Sequence, residues 1–327
     1  MEFAKEKTID VVGVGNALMD ILVTVDEEFL VGHGLTKGEM HLVSESEAAE
    51  YLQEISSLDT RELPGGAAAN TVRGIAKLGG SAAYFGSVGA DAYGDMYRAT
   101  MQKEGIQTAV AATDQLTGNA ITYITPDHER TFTVHLGAAS DLAVDMIDES
   151  TIAKAKVVHL EAFQFEGGTK AVLEHVIKLA KRYDTLVSLD LNDGSLVRRN
   201  LDLFKTIVYD DVDIVFLNEA ESSAFAGGGD PDIMFTDLRA HTTFAILKQG
   251  SQGSFVGDRQ TVHTIAPVPT NVVDTTGAGD LYAAGFLHGI THGFDILAAG
   301  SMGSRIASEV IKGVGVDLEQ IQYTIGH

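Results

Sequence analysis

The stretch DTTGAGDLYAAGFLHG, Asp274 to Gly289, places small residues between two aspartates, just before a segment with apolar residues at helical spacing. The glycines predict a tight turn, and the spacing of Leu281, Ala284 and His288 predicts a helix that begins after it. Free N–H groups at a helix N-terminus attract anions, and small residues let an anion come close. The stretch therefore predicts a phosphate or oxyanion cradle, with a simple turn capped by Asp280 as the alternative.

Apolar runs of strand length alternate with longer amphipathic segments along most of the chain. Helices are predicted over 67–78, 94–104, 169–182 and 280–292, and the strand-like runs are IDVVGVG, AAYFGSVG, AKVVHLEAF, TLVSLDLN, VDIVFLNE and TTFAILKQG. Nearly continuous apolar strands that alternate with helices are typical of a buried, mainly parallel sheet. The pattern predicts a layered α/β domain.

Two regions that break this alternation predict a small β-sheet lid. The first is ALMDILVTVDEEFL with its continuation to HLVSE, and the second is TGNAITYITPDHERTFTVHLG. The second region predicts a hairpin, because ITYIT and RTFTVHL flank the polar turn Pro126-Asp127-His128-Glu129. The lid would cover about 16–44 and 114–136, within a single domain over 1–327.

Composition excludes several classes of function. The chain has 327 residues, no cysteine and a formal charge of −23 with only 23 lysines and arginines, which argues against a nucleic-acid surface. The absence of cysteine leaves oxygen and imidazole as metal ligands, so hard ions such as Mg²⁺ stay open. No apolar run is long enough for a membrane span, and the start lacks a secretory signal, so we expect no membrane contact and a place in the cytosol.

A second glycine cluster, PGGAAANTVRGIAKLGG, extends from Pro64 to Gly80. Gly65 and Gly66 predict a close turn, and Asn70 is predicted in the first turn of the helix that follows. An asparagine there can donate and accept hydrogen bonds together, which suits vicinal hydroxyl groups. The alternative is an alanine-rich helix that packs closely on the sheet.

Two common nucleotide motifs are absent. GVGN, Gly13 to Asn16, follows a strand, but Leu18 stands where the last glycine of a dinucleotide motif belongs. GADAYGD, Gly89 to Asp95, has an aspartate where a phosphate loop requires lysine. A nucleotide would have to be held in another way.

The two glycine clusters together resemble a known family. GGAAANTVRGIAKLGGSAAYFGSVGADAYGD and DTTGAGDLYAAGFL resemble the two signatures of the ribokinase-like, PfkB-type carbohydrate and nucleoside kinases, over nearly the whole chain. The resemblance implies a three-layer α/β/α domain with a mainly parallel central sheet and a small β-sheet lid. It also implies ATP-dependent transfer of a phosphoryl group to an alcohol, with Asp280 as the base and Gly277, Ala278 and Gly279 as backbone donors to the phosphoryl group.

Within the family, the first segment and the hairpin segment are most similar to the adenosine kinases and their bacterial nucleoside-kinase relatives. This similarity implies ribose binding by Asn16, Asp20, Gly65, Gly66 and Asn70. The positions on the base side hold the apolar residues Met40, Phe132, Val134 and Phe165, which could contact a purine but do not identify it.

On the nucleotide side, the resemblance implies that Arg130 reaches the phosphates, with an exposed hairpin charge as the alternative. Asn218 and Glu221 in NEAE match a motif that acts around Mg²⁺ and its waters, with a polar loop as the alternative. The other residues predicted near the nucleotide are Lys248, Gly250, Gly253 and Thr275. For Lys248, which could contact phosphate, the alternative is a solvated surface lysine.

The sequence predicts an ATP-dependent kinase that uses Mg²⁺ and acts on the 5′-hydroxyl of a purine nucleoside such as adenosine. The alternatives are a sugar kinase of the same family, for ribose, fructose or a sugar acid, and a non-catalytic nucleoside-binding protein on the same fold. Some relatives bind K⁺ through backbone carbonyls beside the anion turn and a late loop near 312–316, and the sequence leaves K⁺ open. A monomer and a homodimer are both compatible with it.

Overall fold

The computed structural model describes residues 2–127, 129–166 and 168–321, and its strands form two sheets. The strands are β1 (Ile9–Val14), β2 (Leu18–Thr24), β3 (Met40–Leu42), β4 (Thr60–Gly65), β5 (Ala82–Gly89), β6 (Gln107–Thr113), β7 (Thr117–Ile124), β8 (Arg130–Gly137), β9 (Ala155–Glu161), β10 (Leu186–Asp190), β11 (Ile214–Asn218), β12 (Phe244–Lys248), β13 (Ser254–Gly257) and β14 (Val262–Ile265).

Helices connect most of these strands. They are α1 (Glu27–Gly32), α2 (Glu45–Ile55), α3 (Ala67–Lys77), α4 (Ala92–Lys103), α5 (Glu149–Lys154), α6 (Lys170–Arg182), α7 (Gly194–Arg199), α8 (Leu201–Asp211), α9 (Glu219–Ala226), α10 (Pro231–His241), α11 (Ala278–Thr291) and α12 (Ile296–Val310). In the described part of the chain no helix is long and apolar enough to cross a membrane.

The large sheet has nine strands in the order β14-β13-β12-β11-β10-β9-β1-β5-β6. The strands from β12 to β6 run parallel, and only the edge strands β13 and β14 are antiparallel. One apolar core lies between this sheet and helices α6 to α10, and a second lies between the sheet and α3, α4, α11 and α12. The predicted fold, three layers around a mainly parallel sheet, is confirmed.

The small sheet forms the lid, with five strands in the order β3-β8-β7-β2-β4. The predicted hairpin is β7 and β8, which pair antiparallel up to Ile124 opposite Arg130. Within the predicted turn, His128 lies outside the described residues. One face of the lid sheet packs on α1 and α2 through an apolar cluster that includes Ile21, Tyr51 and Tyr123.

The lid extends beyond the predicted ranges, because β4 pairs with β2 along the edge of the small sheet. Its sequence, TRELPG, lacks the alternation of a typical strand and contains Pro64. Proline is tolerated on an edge strand, where its missing N–H removes no ladder bond. The predicted boundary at 44 is therefore corrected to include Thr60–Gly65.

Polar residues stand at the carboxyl ends of five parallel strands. Asn16 follows β1, and Glu161, Asp190, Asn218 and Lys248 end β9, β10, β11 and β12. In open α/β sheets the ligand crevice lies outside these strand ends, where the order of the strands reverses. Here the order reverses around β1, so this edge of the sheet is the candidate site.

Candidate active site

A cavity of about 640 Å³ opens at this edge, between the lid and the large sheet. Its walls come from the lid, from the two glycine clusters and from the strand ends. The lining residues are Gly38, Ala67, Glu129, Arg130, Phe132, Phe163, Asn192, Thr275, Thr276 and Asp280. Parts of the chain that are far apart in sequence therefore line one open cavity.

The anion turn, Thr275 to Gly279, leads into helix α11. Gly277 has a left-handed φ of +73°, and a side chain there would collide with Val316. No side chain caps the helix, and among the described residues the N–H groups of Gly277 and Gly279 have no acceptor. Ala278 differs from the prediction, because its N–H donates to the Thr275 carbonyl at 3.1 Å and so belongs to the turn itself.

Asp280 lies in the first turn of α11 and faces the cavity. Asn70 Nδ2 donates to Asp280 Oδ2 at 2.9 Å, so the two glycine clusters meet at this carboxylate. Burial raises the pKa of Asp280 to about 7, although the Asn70 hydrogen bond opposes the shift and the charge of Asp190 adds to it. A carboxylate with such a pKa gains and loses its proton near neutral pH, which suits a general base.

Arg130 reaches from the lid hairpin to the anion turn. Its Nη1 contacts the carboxylate of Asp274 and donates to Thr276 Oγ1 at 3.1 Å. Asp274 is 2% exposed and also accepts the N–H groups of Thr276 at 2.7 Å and Gly315 at 2.6 Å. Arg130 is thus a largely buried cation at the turn, and the late loop lies beside it.

The predicted ribose residues lie where lid strands β2 and β4 join the large domain, with Asn70 on helix α3. Burial raises the pKa of Asp20 to about 7, partly opposed by the positive charge of Arg73. In the described part of the chain, neither carboxylate oxygen of Asp20 has a hydrogen-bond partner. A side chain at Gly65 would collide with this carboxylate, and Gly66 has a φ of +100° beside the Asn16 carbonyl. The backbone therefore requires glycine at position 66, and the Asp20 carboxylate leaves no room for a side chain at position 65.

Glu161 is a site residue that the sequence analysis missed. It is 1% exposed, and it accepts the N–H groups of Asn16 at 2.8 Å and Ala68 at 2.9 Å. Burial raises its pKa to about 7, while these hydrogen bonds oppose the shift. Glu161 thus ties the loop after β1 to the start of α3. The available signal was an acidic residue at the end of the apolar run VVHLE.

Lys248 lies behind the anion turn, so it is not a solvated surface lysine. Its Nζ is 2.7 Å from Asp190 Oδ2, and a Cβ placed on Gly279 would lie 3.0 Å from Nζ. Burial lowers the pKa of Lys248, but the carboxylates of Asp190 and Glu221 outweigh burial and raise it. Asp190 is a second buried acid that the sequence analysis missed.

Asn218 and Glu221 form a reciprocal cap at the start of α9. Asn218 donates its N–H and Nδ2 to the two Glu221 oxygens, both at 2.7 Å, and the Glu221 N–H donates to Asn218 Oδ1 at 2.9 Å. Burial raises the pKa of Glu221 to about 7. No group of three or more His, Asp or Glu in the described residues could hold a metal by itself. Since both Glu221 oxygens are engaged, the pair fits a role around hydrated Mg²⁺ rather than a cage.

The remaining residues predicted near the nucleotide have backbone roles in this structure. Gly250 and Gly253 have left-handed φ values of +53° and +93° on either side of a short turn. A side chain at Gly253 would collide with the Ile265 carbonyl. Thr275 lines the cavity and accepts the Ala278 N–H.

An apolar surface of the lid lies on β3 and β8. Met40 is 45% exposed and lies opposite Phe132, and the exposed Leu42 lies opposite Val134. Of these residues, Phe132 lines the cavity. The lid thus offers an apolar wall beside the polar residues of the turn.

Phe165 does not lie where it was predicted. It is 3% exposed and its ring meets Phe204 in the core of the large domain, at a centroid distance of 5.8 Å. The aromatic residue that lines the cavity from this segment is Phe163, which is 37% exposed. The two side chains lie on the same short 3₁₀ helix, and only Phe163 points away from the core. Phe163 therefore replaces Phe165 on the apolar wall.

Comparison with known proteins identifies the family and the fold of this chain. Residues 34–321 match the model of the pfkB family carbohydrate kinases. Adenosine kinase of Saccharomyces cerevisiae is 27% identical, with 97% of this chain and 99% of that protein covered. A fructokinase of Klebsiella pneumoniae is 32% identical over 73% of this chain and 81% of its own length. The crystal structure of adenosine kinase from Sinorhizobium meliloti superimposes with a TM-score of 0.87 and 30% identity, covering 94% of this chain and 95% of that one.

Proposed function

We propose a specific acceptor for this chain, which belongs to the pfkB family of carbohydrate kinases and is thus a phosphotransferase with an alcohol acceptor. The proposed acceptor is the 5′-hydroxyl of a purine nucleoside, with adenosine as the first candidate. The observation that carries the proposal is the position of Asp280. Its carboxylate is held by Asn70 inside the cavity, at the start of a helix whose Gly277 and Gly279 N–H groups have no acceptor among the described residues.

Asp280 would act on the acceptor hydroxyl as a general base. In a loose phosphoryl-transfer transition state the base orients the hydroxyl and accepts its proton late, so a pKa of about 7 is sufficient. The proton would pass from the 5′-oxygen to Asp280 as that oxygen bonds to the γ-phosphorus of ATP, while the bond from this phosphorus to the β–γ bridging oxygen breaks and ADP leaves. Asn70 stabilises the ionised form of the carboxylate through its hydrogen bond.

The anion turn would hold the phosphoryl oxygens, but it needs help from other groups. A helix N-terminus contributes roughly 0.3–2 kcal/mol, whereas enzymic acceleration requires at least about 8 kcal/mol. Arg130 lies at the same turn and would add a positive charge if a phosphate took the place of Asp274. Mg²⁺ would neutralise charge on the triphosphate of ATP, and Asn218 and Glu221 would hold its water ligands.

The acceptor side of the cavity supports a ribose group that carries a flat apolar substituent. The carboxylate of Asp20 and the side chains of Asn16 and Asn70 supply acceptors and donors for vicinal hydroxyls. Asn70 Oδ1 is buried and has no partner among the described atoms, as expected of a group that binds a ligand. Phe132 and Phe163 supply aromatic surface for a base.

A sugar kinase is the second candidate, favoured by the 32% identity to a fructokinase. The two candidates differ in whether the apolar wall is used, since a free sugar has nothing to place against it. ADP formation with adenosine, guanosine, inosine, ribose and fructose separates them. The proposal predicts the highest kcat/KM with a purine nucleoside and a product phosphorylated at the 5′ position. Turnover of free sugars alone would contradict the proposal, and turnover of any acceptor would exclude a non-catalytic binding protein.

A further inference from the structure

Asn192 stands out by its backbone and by its place in the cavity. It follows β10, lines the cavity and has a φ of +58°. Among the described residues, the only other non-glycine residue with positive φ is Asp184, which lies in an exposed turn away from the cavity. Residues held in sparsely populated conformations cluster at functional sites, so the outlier at Asn192 calls for a functional explanation.

One hydrogen bond fixes the orientation of the Asn192 side-chain amide, and a second holds its backbone. Its Oδ1 accepts the N–H of Ala162 at 2.8 Å, and its own backbone N–H donates to Asp190 Oδ1 at 3.1 Å. Because an N–H group requires an oxygen acceptor, the amide cannot be flipped without losing the bond to Ala162. Nδ2 is therefore the free end of the side chain, and it has no acceptor within the described part of the protein.

The surroundings of the cavity indicate what Nδ2 binds. Donors that line the cavity beside Asn192 include Arg130 and the hydroxyl groups of Thr275 and Thr276, and the anion turn adds its free backbone N–H groups, so this end of the cavity can accept oxygen atoms with negative charge. Two carboxylates line the cavity, Asp280 and Glu129. Asn70 already donates to Asp280, and Glu129 lies on the lid hairpin, across the cavity from the strand ends. An anionic oxygen of the ligand is thus the remaining partner.

We propose that Asn192 Nδ2 donates a hydrogen bond to the phosphoryl group during its transfer, from the side of the cavity opposite the lid, and that the left-handed backbone at residue 192 exists to present this donor. The inference deepens the proposed function and rests on phosphoryl transfer at this site. It does not depend on whether the acceptor is a nucleoside or a sugar.

Two variants remove the Nδ2 donor, one with the positive φ strain at residue 192 retained and one with it relieved. Asn192→Asp keeps the acceptor for Ala162 and tolerates positive φ, but lacks the N–H donor. Asn192→Gly lacks the donor without adding a charge and removes the backbone strain, although it also loses the acceptor for the Ala162 N–H, which Asn192→Asp keeps. Both should lower kcat by about 10²-fold, as for loss of one donor to a developing charge, with the acceptor KM changed by less than about threefold. Asp184→Gly is the matched control, since it removes the same kind of strain far from the cavity and should leave kcat unchanged.

A binding measurement tests the donor without turnover. Calorimetry would compare MgADP alone with MgADP plus aluminium fluoride, a mimic of the phosphoryl group in transfer, for the wild type and both variants. We expect equal affinity for MgADP and affinity for the aluminium fluoride complex weakened by at least about tenfold in both variants. Equal affinities for that complex, or a kcat of Asn192→Gly within threefold of the wild type, would overturn the assignment. A wild type that turns over no acceptor would instead contradict the proposed function.

Discussion

Asp280→Asn is expected to stabilise the ligand-free protein at alkaline pH and to do so much less at acidic pH. Burial raises the pKa of Asp280 from its ordinary 3.8 to about 7, so the folded protein keeps a proton that the unfolded chain releases. The stability that this proton contributes is complete below pH 4 and is lost as the pH rises through 7. The amide in the variant cannot ionise and avoids this loss.

The size of the effect follows from the shift. One pKa unit corresponds to about 1.4 kcal/mol, so the wild type should lose up to roughly 3 kcal/mol relative to the variant between pH 5 and pH 8. Because Asp280 borders the cavity, solvent screens its charge, and we expect about 2 kcal/mol. Urea unfolding at pH 5, 6, 7 and 8 measures the difference directly.

Asp59→Asn is the control for this measurement, since the protein carries a charge of −23 and removing any negative charge reduces repulsion. Asp59 is exposed, so its variant should show only a small change that varies little with pH. If the free energy difference between wild type and Asp280→Asn is the same at pH 5 and pH 8, Asp280 is not the poised carboxylate described above.

Three further substitutions probe other parts of the site. Asp20→Ala should raise the acceptor KM at least about tenfold more than the ATP KM, because the carboxylate is proposed to bind hydroxyl groups of the acceptor. Equal rises of the two KM values in steady-state assays would show that Asp20 has a structural role. Arg130→Met should lower both kcat and the unfolding free energy, since Asp274 is left buried without its cation; an unchanged kcat would remove Arg130 from the reaction. Lys248→Met should lower the unfolding free energy by about 3–5 kcal/mol, because the Asp190 carboxylate is then buried without its cation. A loss below about 1 kcal/mol in urea unfolding would contradict this prediction.

The fold was predictable because the parallel strands are nearly continuous apolar runs and the anion turn has a strong local signature. The buried acids Glu161 and Asp190 were not identified, since each is a single polar residue at the end of such a run and its partners are distant in sequence. Phe163 and Phe165 could not be told apart, because their spacing on a 3₁₀ helix places them on different faces and only tertiary packing decides which face is buried.

The extent of the lid depended on a contact that has no local signal. TRELPG becomes strand β4 only because β2 offers it a free edge. The engagement of the Ala278 N–H within the anion turn likewise depends on backbone geometry, which the letters TTGAG do not specify. In both cases contacts made by the folded chain decided the local structure, which sequence propensity alone did not specify.

The central claim is that Asp280 takes the proton of the acceptor hydroxyl while the anion turn holds the phosphoryl group. The rate of AMP formation from adenosine and saturating MgATP, in the wild type and in Asp280→Asn, tests it most directly, with MgATP binding measured on the same samples. We predict a kcat at least about a hundredfold lower in the variant, with MgATP affinity within threefold of the wild type. A variant that forms AMP at more than a tenth of the wild-type rate would contradict the claim.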